Sequence, residues 1–277
     1  MADDERKRPA DAVDLTKDAS PEKKQKVALT TIAKELLCPI TQELPFDPVM
    51  AKDGKIYERE AILEWFRKKD GDATSPSTGK VIDTELVPAV QVRNTIESLI
   101  ESGAIEGEIA EAWTKKLEME KEVKEMRAKA EGGDGYSMWR LGVRYRQGVL
   151  GLAENAEQAR AWYKRSAAVR HPMGMAAFGG ALLHGIGGST DTSLGLVLVT
   201  EAATKGSDFA AWILGEAFFG GLYGLSKDPA RARYWLKKVV EGECEIKHIG
   251  VAAKATAAKL LGDLDAEELF FRELNNA

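Results

Sequence analysis

Large apolar residues are almost absent from positions 1–30, come in short runs over 31–103, and keep a helical spacing inside a Glu/Lys-rich stretch over 104–131. From 132 onward they sit in Ala-, Trp- and Tyr-rich segments punctuated by Gly. Each texture predicts a different structure. Residues 1–30 mix charges with Pro, Ala and Ser, and they are expected to be disordered because they bury too little surface to offset backbone entropy. Residues 31–103 predict a small α+β domain. A loop from Leu36 leads to a β-hairpin around Asp53-Gly54, then a short helix over 58–68 with the stripe Ile62, Trp65 and Phe66. A polar loop with Ser75-Pro76 and a helix over 90–102 close it. Residues 104–131 lack Pro and predict one long exposed helix.

That helix carries Ile105, Ile109, Ala112, Lys116, Met119, Val123, Met126 and Ala130 in alternating four-three spacing. Seven of the eight are apolar, which is a weak coiled-coil seam and raises a homodimer through 104–131. Docking of the same face onto the first repeat, or a rigid connector, are the other readings.

From 132 to 277 the chain repeats itself. The pair Leu141-Gly142 returns as Phe178-Gly179 and Leu214-Gly215, and Trp162-Tyr163 returns as Val197-Leu198 and Tyr234-Trp235. Ala167-Ala168 returns as Ala202-Ala203 and Val239-Val240. Three landmarks in phase predict an all-α solenoid of helix, Gly-rich loop, helix units over about 134–171, 172–207 and 208–245, with a degenerate cap over 246–277. Trp139, Trp162, Trp212 and Trp235 fall at repeat positions and are expected to pack in the core.

Composition narrows the chemistry. Among 277 residues there are only two Cys (Cys38, Cys244) and three His (His171, His184, His248), none within metal-ligand spacing of another. A structural zinc site, which takes about four close ligands, is excluded, as is a disulfide framework. Without a nearby His as base, Cys38 reads as a small buried hydrophobe, and no catalytic nucleophile is expected. A net charge of −5 argues against bulk nucleic-acid binding, and no apolar run approaches the roughly 20 residues of a membrane span. The Gly-rich loops lack the ending of a phosphate-binding loop, and no cofactor is expected.

Residues 36–102 string together Cys38-Pro39-Ile40, Asp47-Pro48-Val49, Asp53-Gly54, Tyr57-Glu58-Arg59, Ile62, Trp65, Leu86-Val87-Pro88 and Val92-Arg93-Asn94. Jointly these resemble the U-box of ubiquitin ligases, a zinc-free, RING-like α+β scaffold. The resemblance implies that polar residues hold two loops where zinc would, and Asp47, Asp53, Glu58, Arg59 and Ser75 are the candidates. It implies docking of a ubiquitin-conjugating enzyme charged with ubiquitin, through Ile40, Trp65, Ser75, Pro76 and Lys80, and transfer by orientation without a covalent intermediate. The family often sets a cation three residues after the loop-two proline; here Gly79 stands there and Lys80 follows. The repeats resemble Sel-one-like repeats, tetratricopeptide-like adaptor hairpins, which implies that they hold a protein substrate or adaptor. The alternative is a non-catalytic scaffold whose U-box only docks partners.

The first 30 residues carry Arg6, Lys7 and Arg8, then Lys23, Lys24 and Lys26, two basic clusters that look like a bipartite nuclear import signal. No secretory apolar segment precedes them. Nuclear or cytoplasmic residence, with no membrane or nucleic-acid partner, is the expectation.

Overall fold

The computed structural model describes residues 34–68 and 73–276. The expectations for 1–30, including both basic clusters, lie outside the described residues. The chain divides into two compact units, with the boundary between Leu117 and Glu118.

In the first unit β1 (Pro48–Met50) pairs antiparallel with β2 (Ile56–Glu58), Val49 facing Tyr57. The connection turns because Gly54 takes a left-handed φ of 75° and its amide donates to the Ala51 carbonyl at 2.9 Å. A two-residue strand, β3 (Val87–Pro88), joins the far side of β1, giving the order β2-β1-β3. That strand is absent from the sequence expectation. Helix α1 (Arg59–Lys68) leaves β2 without a linker, and Ile62 seals it onto Cys38, Val49, Ala51 and Tyr57.

Helix α2 (Val90–Glu101) and the first turns of α3 (Glu108–Glu131) build a second cluster from Leu44, Ile96, Ile105, Ala110 and Trp113. Trp113 is 2 % exposed, and its indole N–H donates to the Pro45 carbonyl at 3.3 Å. Of the readings open for this helix, docking onto the first repeat holds for its far half. Ile105 is buried in this cluster, and within the second unit Val123, Met126 and Ala130 are buried against Met138, Leu141 and Trp162. Half of the seam is therefore used inside the chain, and the far half of α3 docks on the first repeat.

The second unit is a run of paired helices: α4 (Gly135–Gln147), α5 (Ala156–Ala168), α6 (Pro172–His184), α7 (Thr192–Thr204), α8 (Asp208–Gly220) and α9 (Pro229–Glu241). Side-chain oxygens of Asp134, Asn155, Asp191, Ser207 and Asp228 cap five of their N-termini by accepting an amide three residues on. His171 sits at the cap position of α6 but makes no capping bond. The cap of the array, expected as a degenerate repeat, is one helix, α10 (Val251–Asn276), which closes over Leu236 and Val239 with Ala257 and Leu264.

The repeated apolar-Gly pair has a steric cause. A Cβ on Gly142 would lie 2.5 Å from Tyr163, on Gly179 2.7 Å from Val199, and on Gly215 2.6 Å from Leu236. In each unit the first helix thus touches the second where only hydrogen fits. Gly179→Val is expected to cost about 2–3 kcal/mol, because the Gly195 carbonyl also lies 2.9 Å from that Cβ position and backbone cannot move aside. A calorimetric melt of the full chain, read against wild type, checks this; an unchanged midpoint would contradict the packing argument.

Candidate docking surface and repeat groove

Two loops of the first unit are tied down by hydrogen bonds. Loop one, 38–47, closes on itself where the Cys38 amide donates to the Glu43 carbonyl (2.8 Å) and the Gln42 amide to the Cys38 carbonyl (2.9 Å). The Glu58 carboxylate, at the end of β2, accepts the Phe46 amide at 2.6 Å, and Arg59 Nε donates to Asp47 at 2.6 Å. The Cys38 thiol is fully buried, and its sulfur accepts the Glu58 amide at 3.2 Å, a structural place rather than a nucleophile's.

Loop two, 73–82, hangs on Asp53. Its carboxylate accepts the Ser75 hydroxyl (2.5 Å), the Tyr57 hydroxyl (2.7 Å) and the Lys55 amide (3.0 Å). Partial burial works to raise the Asp53 carboxyl, but the bonds from Ser75, Lys55 and Tyr57 outweigh it and hold the group below its usual range. Ser75 Oγ in turn accepts the amides of Ser77 and Thr78, and the Trp65 indole N–H donates to the Thr74 carbonyl at 2.7 Å. Asp47, Asp53, Glu58, Arg59 and Ser75 all take part in these bonds.

Ile40 and Trp65 flank the Cys38–Ile62 cluster, partly buried against it and partly exposed. Pro76 is half-buried, two residues from the carbonyl that Trp65 holds. Ser75 departs from the expectation that it contacts a partner: it is 1 % exposed and its hydroxyl is committed to Asp53, so it shapes loop two from inside. The Lys80 side chain is exposed, while its carbonyl accepts the Ser75 amide at 2.8 Å. Gly79 has a φ of 69°, and a Cβ there would meet nothing within 4 Å among the described residues, so backbone conformation restricts that position.

The second unit holds a hollow of about 430 Å³ along the first helix of each repeat. Trp139, Val143 and Arg146 face it from α4, at helical spacing. Opposite, α8 presents Phe209, Trp212, Ile213 and Glu216. Between them the middle of α6 offers only the small residues Ala177, Gly180 and Ala181, with Met173 and His184 at its two ends, and the space stays open over that central turn. Core packing, expected for all four tryptophans, holds for Trp162, which is buried, and for Trp139, Trp212 and Trp235, which pack partly buried against the neighbouring clusters; Trp139 and Trp212 also line this hollow. The signal was their shared offset, two residues before the Leu-Gly pair, which Trp162 and Trp235 lack.

The hollow's polar groups are few. Arg146 is paired with Glu154 at 2.9 Å, and the Tyr223 hydroxyl lies 3.1 Å from His184 Nε2. Burial pushes the Tyr163 phenol up to about 12, so it stays neutral. Glu216 has neither ion-pair nor hydrogen-bond partner among the described residues, and burial raises its carboxyl above the ordinary range. The Trp212 indole N–H is buried without an acceptor among the described residues. The buried Asp208 carboxylate accepts the His248 and Ile249 amides at 2.8 and 3.1 Å; the His248 ring, 4.8 Å from that of Trp139, also lines the hollow.

Similarity to known proteins follows the same division. The U-box domain family model matches residues 32–104, and the Sel1 repeat model matches 135–169, 172–207 and 208–240. The chain is 41 % identical over 73 residues to U-box domain-containing protein 18 of Arabidopsis thaliana, a match covering 26 % of this chain and 10 % of that protein. It is 46 % identical over 56 residues to the WD repeat, SAM and U-box domain-containing protein 1 of Homo sapiens, covering 20 % and 11 %. The matched region thus spans about a tenth of the length of these curated relatives. A crystal structure of a Sel1 repeat protein from Oxalobacter formigenes aligns with 51 % of this chain and 98 % of its own, at 27 % identity and a TM-score of 0.41. The chain carries a U-box domain at residues 32–104 and Sel1 repeats within residues 135–240.

Proposed function

We propose that this chain is a ubiquitin ligase whose U-box docks a charged ubiquitin-conjugating enzyme and whose repeats hold the protein to be modified, or an adaptor for it. The observation that carries the reading is one apolar cluster, framed by two hydrogen-bonded loops, that leaves Ile40, Trp65 and Pro76 partly exposed beside each other's supports. Partly exposed apolar side chains on a rigid frame are what a docking partner can desolvate without reorganising the frame. The domain supplies orientation: holding a thioester in a reactive pose removes several kcal/mol or more of barrier, with no bond to the ligase. Lys80 takes the cationic role that Gly79 leaves vacant. Import through the clusters at Arg6–Arg8 and Lys23–Lys26 belongs to the same proposal.

The test is reconstitution. Full-length chain, activating enzyme, ubiquitin, ATP and a panel of conjugating enzymes are expected to give polyubiquitin chains or self-modified ligase with at least one member. Absence of product with every member, from a protein whose melt shows an intact fold, would leave a docking fold without transfer.

A further inference from the structure

The hollow of the repeats gathers polar groups that helix packing leaves unsatisfied among the described residues. Glu216 stands where the first two repeats have Val143 and Gly180, so a carboxylate replaces a small apolar group at the same phase. It lies one helical turn from Trp212, on the same face of α8. Among the described residues no cation answers its charge, since the one lining arginine there, Arg146, is paired with Glu154. The Trp212 ring packs on the clusters to either side, while its buried N–H finds no acceptor among the described residues. Small residues on α6 leave an apolar channel toward this corner.

We propose that the groove recognises a peptide segment of a partner protein by an inserted lysine or arginine side chain, whose cation meets Glu216 and the aromatic faces of Trp212 and Trp139. The methylene stem lies against Ala177, Gly180 and Ala181, and a neighbouring apolar side chain of the peptide fills the remainder beside Phe209. A cation on aromatic faces and a carboxylate in partly desolvated surroundings is attracted more strongly than in water, and an anionic or neutral side chain gains neither term. The 430 Å³ of space suits a long side chain plus a neighbour rather than a whole helix. This deepens the substrate-holding role proposed for the repeats and rests on that reading only for what the partner is. The contact itself involves neither Ile40 nor Trp65.

The experiment probes the full chain with a positional-scanning library of nine-residue peptides, each amino acid fixed in turn at the centre, by fluorescence polarisation and without any conjugating enzyme. Central Lys or Arg is expected to bind at least about tenfold more tightly than central Glu or Asp. Glu216→Gln should erase that preference, Trp212→Leu should weaken binding, and Trp212→Phe should retain it. Glu216→Gln should melt at the wild-type temperature or above, since burial disfavours the charge it removes, so lost binding cannot be ascribed to unfolding. No selection at the centre, selection for an acidic centre, or a preference unchanged in Glu216→Gln would each overturn the proposal. If binding emerges only after residues 2–30 are deleted, the chain's own basic clusters occupy the groove and the external partner is wrong. Ubiquitin-chain synthesis measured in parallel separates the two readings: it can persist when peptide binding fails, and peptide binding can persist when synthesis fails.

Discussion

Ile40→Ala is expected to cut ubiquitin transfer by about 30-fold or more while the U-box stays folded. The magnitude comes from burial. Ile40 packs on the outside of the cluster formed by Cys38, Val49, Ala51, Tyr57 and Ile62, so truncation removes a contact surface without opening a hole in that core. An apolar anchor desolvated at the centre of an interface costs about 2 kcal/mol on truncation to alanine, which is about 30-fold in affinity. With the conjugating enzyme held below its dissociation constant, that factor passes directly into rate. Trp65→Ala is a poorer probe, despite standing at the same surface. Its indole N–H holds the Thr74 carbonyl, so removing it also releases loop two, and a loss of activity would mix docking with disorder. The measurement is initial rate of chain formation alongside a thermal melt. An Ile40→Ala protein that is folded and as fast as wild type would show that docking occurs elsewhere.

Asp53→Ala is expected to have the largest effect on stability, about 3 kcal/mol, a large share of what so small a core can supply while still leaving a measurable transition. Three donors converge on this carboxylate, from Ser75, Tyr57 and Lys55, and bonds to an ionised acceptor contribute about 1.5–3 kcal/mol each. The alanine variant would also strand the nearly buried Ser75 hydroxyl. Acid should reproduce part of the loss in the wild-type protein. Folding lowers the Asp53 pKa from an ordinary 3.8, so its contribution is complete above that value and drains away as the pH falls through the folded value. Urea titrations from pH 7 down to pH 3 check the slope. The Asp53→Ala melt should be less steeply pH-dependent over that acid range than wild type, and equal slopes would rule out Asp53 as the group responsible.

How much of this was legible beforehand depends on whether a residue's role is set by its neighbours in sequence. The repeat phase could be read because the same steric contact, Gly against Tyr163, Val199 or Leu236, recurs in every unit and leaves the same mark. The five polar residues that hold the U-box loops could be nominated because a RING-like layout without zinc ligands demands substitutes. Three features were not legible. Strand β3 is two exposed residues whose only reason to be a strand is pairing with β1 nearly 40 residues earlier. Trp113 is the aromatic residue of a Glu/Lys-rich helix, but the four-three count follows Ile109 and Ala112 and passes it by, although it is Trp113 that reaches Pro45. The hollow is made by volume that the central turn of α6 lacks, and missing volume between helices far apart in sequence leaves no periodic trace.

Asp208 gives the array an order of completion. Its buried carboxylate waits for the amides of His248 and Ile249, forty residues downstream. During synthesis, which proceeds from the N-terminus, the third repeat can form its helices while this charge still has no partner. Only when the segment before α10 has emerged does Asp208 find its donors and His248 take its place beside Trp139. The groove is then the last surface of the repeats to be finished, so a nascent or prematurely terminated chain would present a folded first unit before the lining of that groove is complete.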